Sequence, residues 1–416
     1  MREPLPALKI ERLGRHGDGI AAGPVYAPLA LPGELVEGDV TGDRMVQPRI
    51  LRPSINRVRP PCRHFKSCGG CALQHASDAF LETWKADLVR RALAAQGIEA
   101  PISGVATSPP QSRRRAVFSG RRTKKGALVG FHARASDLIV EVPDCQLVLP
   151  EIAACLPALR ELTILGATRK AEVTLTVTWS DAGADVAVDG GKEPDGRLQA
   201  DLAGLATRFD FARLAWNGEP VVERRRPGQR FDGIPLTPPP GAFLQATQHG
   251  ETRLQALVRR AVGDVRRAAD LFAGCGTFAL PLARNAEVHA VEGDAAMLAA
   301  LDEAWRHAEG LKRITTEPCD LFRRPLLAAE LAGYQAVVID PPRAGAEAQM
   351  AEIACAQVPR IAAVSCNPSN FARDARILVD AGYRLDWIEV VDQFRWSAHV
   401  ELAAQFTLAH IRDTGR

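Results

Sequence analysis

The chain has 416 residues, 46% of them apolar and 24% charged, with a formal net charge of +3. Its length allows two or three domains, and its composition excludes a disordered or fibrous chain. No stretch approaches the apolar length of a membrane span, and MREPLPALKIERLGRHGDG carries no apolar signal-peptide core, so a cytoplasmic protein with no membrane partner is expected.

Residues 1–56 alternate apolar and polar over short runs broken by Gly and Pro, as in GDGIAAGPVYAPLALPGELVEGDV, and predict a small β-barrel. Residues 57–245 predict a central mixed α+β domain: a helical pattern over 80–96, FLETWKADLVRRALAAQ, is followed by strand-like runs such as AEVTLTVTWS. Nine cysteines argue against a disulfide framework in a reducing compartment and for metal or catalytic roles where they cluster. Cys62, Cys68 and Cys71 follow C-x5-C-x2-C spacing beside Gly69-Gly70, with Cys145 isolated later. Three thiols so close can wrap one metal centre, with a fourth, distant ligand closing the domain; an iron–sulfur cluster and zinc both suit such a set. The run QSRRRAVFSGRRTKK (111–125) holds seven basic residues and no acidic one. Interleaved Val117 and Phe118 suggest a basic strand face, and the segment 111–125 is expected to contact the phosphates of a polyanion such as RNA, so that replacing Arg113, Arg114 and Arg115 would weaken binding.

From 246 to 416 short apolar strands alternate with helical patterns, which predicts an α/β domain with a twisted, mainly parallel sheet. Candidate strands are 267–272, 287–292, 335–340, 360–366, 384–391 and 400–408. The first runs into Phe272-Ala273-Gly274-Cys275-Gly276-Thr277, where Gly274 and Gly276 allow a tight turn and close approach of a ligand. The next strand ends at Glu292, placed to accept from ribose hydroxyls. Ala279 replaces the third glycine of a dinucleotide fingerprint, so a nucleoside cofactor without pyrophosphate is favoured over a dinucleotide. Asp340 is held by Pro341-Pro342 at another strand end. Cys366 follows the run Ile361–Val364 at the carboxyl end of its strand, where open α/β sheets keep their chemistry. His399-Val400-Glu401 opens the last run and brings a second carboxylate.

Taken in order, LFAGCGTFALPLA, VEG, DPPRAG, SCNPSNFARD and HVE resemble the S-adenosylmethionine-dependent RNA (uracil-5-)-methyltransferase family. KIERLGRHGDGIA with LPGELVEGDV resembles that family's TRAM domain, and PCRHFKSCGGCALQH its iron–sulfur segment. The resemblance implies a Rossmann-like class I methyltransferase domain with an antiparallel last strand, preceded by an OB-like TRAM barrel. It implies that Cys366 is the nucleophile and Glu401 the base. Gln245, Phe272, Glu292 and Asp340 match cofactor positions, as does Asp320 after KRITTEPCD, while Thr277 stands where many members carry asparagine. For Cys62, Cys68, Cys71 and Cys145 it implies a [4Fe-4S] cluster rather than zinc. Structured RNA, most of all 23S ribosomal RNA, is the expected partner, with no DNA and a monomeric state. The alternatives are a transfer RNA uracil-5-methyltransferase and an RNA-binding or assembly factor with the same fold. An amino-group methyltransferase is disfavoured because Arg343, not an aromatic, follows the paired prolines; enzymes of cytosine carbon 5 are the nearest competitors.

Overall fold

The computed structural model of the chain describes residues 7–99 and 101–409. The alternating N-terminal runs form β1 (Ala7–Leu13), β2 (Gly19–Ala21), β3 (Val25–Ala27), β4 (Leu35–Thr41) and β5 (Arg44–Arg52), closed into a barrel in the order β1-β2-β3-β5-β4. Every second side chain turns inward, so Ile10, Ala27, Val36 and Met45 fill the interior. The barrel is not a separate bead. Leu13 and Leu31 share one core with Phe65, Leu73, Trp84 and Trp396.

Ser77 caps α1 (Asp78–Ala94) by accepting from the Phe80 amide. The helix leads into β6 (Ile102–Thr107), and here the structure departs from the boundaries read from the sequence. Although β6 lies in the stretch assigned to the central domain, it pairs in parallel with residues 388–392 at the edge of the C-terminal sheet. Val89, Leu93 and Ile98 pack into that sheet's core. Nothing local in ISGVAT announces a partner so distant in sequence.

The central domain is built from β7 (Arg115–Thr123), β8 (Gly126–His132), β9 (Ile139–Val140), α2 (Pro150–Ala154), α3 (Leu156–Gly166), β10 (Val173–Ser180), β11 (Gly183–Asp189), α4 (Gly196–Arg208), β12 (Arg213–Trp216) and β13 (Glu219–Glu223). Its sheet runs β13-β12-β11-β10-β7-β8-β9, parallel only between β11 and β12. Phe118, Leu159, Leu175 and Trp216 make its core. A hairpin, β14 (Gln229–Phe231) and β15 (Ile234–Leu236), follows.

The C-terminal half alternates as expected: α5 (Gln248–Val262), β16 (Arg267–Leu271), α6 (Ala279–Leu282), β17 (Glu287–Glu292), α7 (Ala295–His307), β18 (Ile314–Pro318), α8 (Ala328–Leu331), β19 (Ala336–Ile339), α9 (Glu347–Ala356), β20 (Arg360–Ser365), α10 (Pro368–Asp380), β21 (Tyr383–Asp392) and β22 (Leu402–Leu408). The sheet order is β18-β17-β16-β19-β20-β22-β21-β6, with the first five strands parallel and β22 antiparallel to both neighbours. Both faces are covered, so Ala336, Val337, Val338 and Ile339 are all buried and their strand reads as one apolar run. The chain leaves β16 for β17 on one side and returns for β19 on the other. That reversal opens a crevice at the strands' carboxyl ends. Among the described residues no helix is long and apolar enough to cross a membrane.

Candidate active site

The crevice carries the residues expected there. Phe272, Gly274 and Gly276 adopt φ of 61°, 55° and 88° as the chain turns out of β16. A Cβ on Gly276 would run into Leu301 Cδ1, so helix α7 packs where a side chain would stand, whereas the space beside Gly274 is open to 4 Å. The Gly274 amide donates to Glu292 Oε2 at 2.9 Å, and the Asp294 amide donates to Oε1 at 3.1 Å. Glu292 is thereby fixed at the end of β17. Asp320 stands on the neighbouring loop, where its Oδ1 accepts from the Phe322 amide at 3.0 Å. The Phe322 ring is 52% exposed and lies 5.4 Å from that of Phe272, giving an apolar platform beside two carboxylates. The Thr277 carbonyl accepts from Gln255 Nε2 at 3.1 Å.

Asp340, Glu401 and Gln245 form the floor, joined by a residue the sequence did not single out. Gln393 Nε2 donates to Gln245 Oε1 at 2.5 Å and to Glu401 Oε2 at 3.1 Å, while its Oε1 accepts from the Ala246 amide at 2.7 Å. Gln245 Nε2 in turn donates to Asp340 Oδ2 at 3.2 Å. A Cβ on Gly250 would meet Gln393 Cβ at 2.8 Å, so the first turn of α5 needs glycine for Gln393 to sit there. Burial raises the Asp340 carboxyl to about 7, against the Gln245 hydrogen bond. Burial, then the Asp340 charge, holds Glu401 well above the usual carboxylate range; Gln393 and Arg343 oppose this. Half-buried Cys366 is pushed up to about 11 by burial first, then by Glu401 and Asp340, with Arg343 pulling it down. A thiol and two carboxyls that suppress one another's ionisation therefore meet at one rim. Asp270 is wholly buried on β16, and burial, then the Asp340 charge, raises its carboxyl well above the usual carboxylate range against the Ala279 amide.

Residues 242–407 match the family model described as tRNA (Uracil-5-)-methyltransferase. The 23S rRNA (uracil(1939)-C(5))-methyltransferase RlmD of Halomonas elongata is 34% identical over 428 residues, covering 95% of this chain and 88% of its own. The chain belongs to the RNA (uracil-5-)-methyltransferase family. An uncharacterized RNA methyltransferase of Brucella suis is similar at 46% identity over 404 residues, covering 96% of this chain and 97% of its own. The Pyrococcus abyssi tRNA (uracil-54, C5)-methyltransferase, solved in complex with S-adenosyl-L-homocysteine, superposes with a TM-score of 0.76 over 96% of this chain and 99% of its own. At 22% identity that likeness is one of fold, and it covers the barrel, the central domain and the C-terminal sheet together.

In this RNA uracil-5-methyltransferase, Cys62, Cys68, Cys71 and Cys145 line one cavity of 240 Å³ away from the rim. Backbone amides point at two of the sulfurs, Gly70 to Cys68 at 3.3 Å and Leu147 to Cys145 at 3.5 Å. Burial pushes the Cys71 thiol up to about 12, and the other three thiols add to the shift. Among the described residues no three His, Cys, Asp or Glu side chains converge as ligands of a single ion.

For Arg114 the expectation of a phosphate contact is overturned. Arg114 is 4% exposed and paired with the fully buried Glu251 of α5. It also donates to Gln248 Oε1 at 2.7 Å, Gln229 Oε1 at 3.2 Å and the Gln245 carbonyl at 3.2 Å, joining the central domain to the methyltransferase. Arg113 and Arg115 line the cysteine cavity; Arg113 Nε donates to the Arg115 carbonyl, and Arg115 Nη2 to that of Gly241, each at 3.1 Å. Regular strand alternation begins only at Arg115. Before it the chain crosses between domains, and a buried acid decides which way an arginine turns.

Proposed function

We propose that this enzyme transfers a methyl group from S-adenosylmethionine to carbon 5 of one uridine in 23S ribosomal RNA, through a covalent bond between Cys366 and carbon 6. The observation that carries the reading is the buried Gln245–Gln393 bridge, which ties Asp340 and Glu401 together at the rim that also carries Cys366. The relative described as acting on 23S rRNA, similar over nearly the whole chain, supports the ribosomal substrate. The matching family model, described as tRNA (Uracil-5-)-methyltransferase, supports the second reading, a transfer RNA substrate.

The open backbone at Gly274, the fixed Glu292 carboxylate and the Phe272–Phe322 platform suit a nucleoside, with Asp320, Gln245 and Asp340 completing the walls. S-adenosylmethionine, when bound, supplies an electrophilic methyl group and a positive charge beside these carboxylates. Carbon 5 of uracil is too weak a nucleophile alone, so the Cys366 thiolate adds to carbon 6 and places an electron pair on carbon 5 as an enolate. Carbon 5 takes the methyl group while still bearing its proton. Glu401 removes that proton, the carbon 5–carbon 6 double bond re-forms, and the Cys366 thiolate leaves. Mass mapping of uridines in ribosomal and transfer RNA from cells lacking the protein tests the substrate. Loss of 5-methyluridine from transfer RNA alone would overturn the ribosomal assignment.

Asp340 supplies a pH test. Its folded value near 7 lies above that of a free carboxyl, so protonation stabilises the folded cleft and this contribution is lost as pH rises through 7. The ionised form suits a cationic ligand. Calorimetry should show S-adenosylmethionine binding tightening between pH 6 and 8, by up to about tenfold per unit for one linked proton. Asp340→Asn should flatten the profile; a wild-type profile already flat counts against Asp340 as a cofactor contact.

Four thiols around 240 Å³, two already receiving amide hydrogen bonds, fit a [4Fe-4S] cluster on Cys62, Cys68, Cys71 and Cys145. Such a core is wider than one ion, in keeping with thiols that do not converge on a point. Ala72 and Leu73, just past Cys71, donate from their amides to the Trp396 carbonyl at 2.8 and 2.9 Å, so a filled cavity would steady the loop leading to Glu401. Anaerobically purified protein should be brown with about four irons per chain, and Cys62→Ser should lose the colour and lower soluble yield. Stoichiometric zinc without iron would sink the cluster.

A further inference from the structure

The cleft of 250 Å³ over Cys366 is walled partly by the barrel: Arg15 and His16, at the β1–β2 turn, face Arg343 and His399 across it. Arg15 Nε donates to His16 Nε2 at 3.1 Å, and Arg343 Nη2 stands 3.1 Å from the His399 ring nitrogens. None of these four side chains has a carboxylate partner among the described residues. The first turn of the thirteen-residue α10, Pro368–Ser369, lines the same cleft and adds its dipole. His399 registers the excess positive charge: partial burial, then Arg343, Lys85, Arg113 and His16, push its ring down to about 4.

The turn is held in place. Leu13, two residues before Arg15, shares its core with Leu73 and Trp396, and the hydrogen bonds from Ala72 and Leu73 to Trp396 lock the same junction. Trp396 is three residues from His399. One packed unit therefore sets the barrel turn, the cysteine segment and the approach to Glu401 at fixed spacing.

We infer that Arg15 and His16 of the barrel, with Arg343 and His399 of the methyltransferase domain, form a subsite for the RNA phosphate next to the reacting uridine. The inference rests on the proposed RNA reaction at Cys366. A uridine reaching a thiol inside the cleft must leave its stack, and its own backbone then remains at the mouth, where the Arg15 and Arg343 guanidiniums stand and no carboxylate lines the wall. The barrel thus acts in the active site itself, as a positioning wall for the flipped nucleotide.

The test uses the full-length protein, an unmodified 23S rRNA transcript and the exposed pair Arg15→Ala/His16→Ala. Filter binding should weaken, and the slope of log affinity against log salt should fall by roughly one unit for each phosphate no longer neutralised. KM for the transcript should rise about tenfold, a shift of about 1.4 kcal/mol, with kcat falling less than threefold. S-adenosylmethionine affinity should match wild type, and Arg15→Lys should keep the salt slope. An unchanged slope and KM overturn the subsite. Equal loss of cofactor affinity, or failure of Arg15→Lys to keep the slope, also overturns it, because the pair would then be structural. A wild-type protein that binds the transcript but transfers no methyl overturns the proposed reaction instead, and the salt slope still judges the subsite.

Discussion

Cys366→Ala is expected to abolish both methyl transfer and the covalent protein–RNA adduct while leaving S-adenosylmethionine binding intact. In the proposed reaction its side chain is the nucleophile, whereas the proposed cofactor walls at Gly274, Glu292 and Asp340 are held without it. Glu401→Gln should fail differently. In the proposed order thiolate addition and methyl transfer precede proton removal, so a methylated, covalently bound RNA should accumulate. The substitution keeps a partner for Gln393, so the bridge to Gln245 and Asp340 has reason to survive. Denaturing gels with labelled cofactor separate the cases: a slow-migrating labelled complex for Glu401→Gln and none for Cys366→Ala. Retained turnover in Cys366→Ala, or normal turnover without a trapped complex in Glu401→Gln, would rule out the assigned roles. The shared suppression of ionisation adds a reason for order in the reaction. Burial first, then Glu401 and Asp340, pushes the Cys366 thiol up to about 11, and a positive ligand beside those carboxyls would offset their share and favour the thiolate.

Arg114→Met is expected to produce the largest loss of stability. The change strands Glu251, which is fully buried on α5, and breaking one half of a buried pair costs about 3–5 kcal/mol. Burial already raises the Glu251 carboxyl and Arg114 opposes that rise, so removing the arginine raises it further. A carboxyl raised in the folded state costs nothing while protonated and weakens folding as pH climbs through its folded value. The deficit should therefore be large at pH 7–8 and shrink toward pH 5, read from urea midpoints. Arg114→Met with Glu251→Leu should recover most of it, since an apolar replacement of both partners is often neutral or better. A single variant within about 1 kcal/mol of wild type would mean that the pair behaves as an exposed one. Cofactor binding should weaken alongside, because Arg114 Nε also holds the Gln245 carbonyl.

The same two sites show how far the sequence reaches. Cys366 was legible because Ile361–Val364 form an unbroken apolar run and parallel sheets present chemistry at strand ends. Asp340 was legible from the two prolines that stiffen its loop. Gln393 was not. A single glutamine in a loop carries no period, and its partner Gln245 lies 148 residues away. Arg114 was misread for a related reason: seven basic residues in fifteen look like a surface until a distant glutamate takes one of them inside.

The sequence alone determined what is set by near neighbours: alternation that closes the barrel, apolar runs that must be covered on both faces, glycines that turn the chain after β16, and the cysteine spacing. Those features depend on backbone geometry and periodicity within a few residues, so they survive without knowledge of the fold. Tertiary structure alone decided that β6 extends the C-terminal sheet, that Gln393 bridges the carboxyls, and that the barrel turn overhangs Cys366. Each is a choice among many segments of similar local character. Only packing, with its demand that buried polar groups find partners and apolar faces find cover, selects which distant pieces meet.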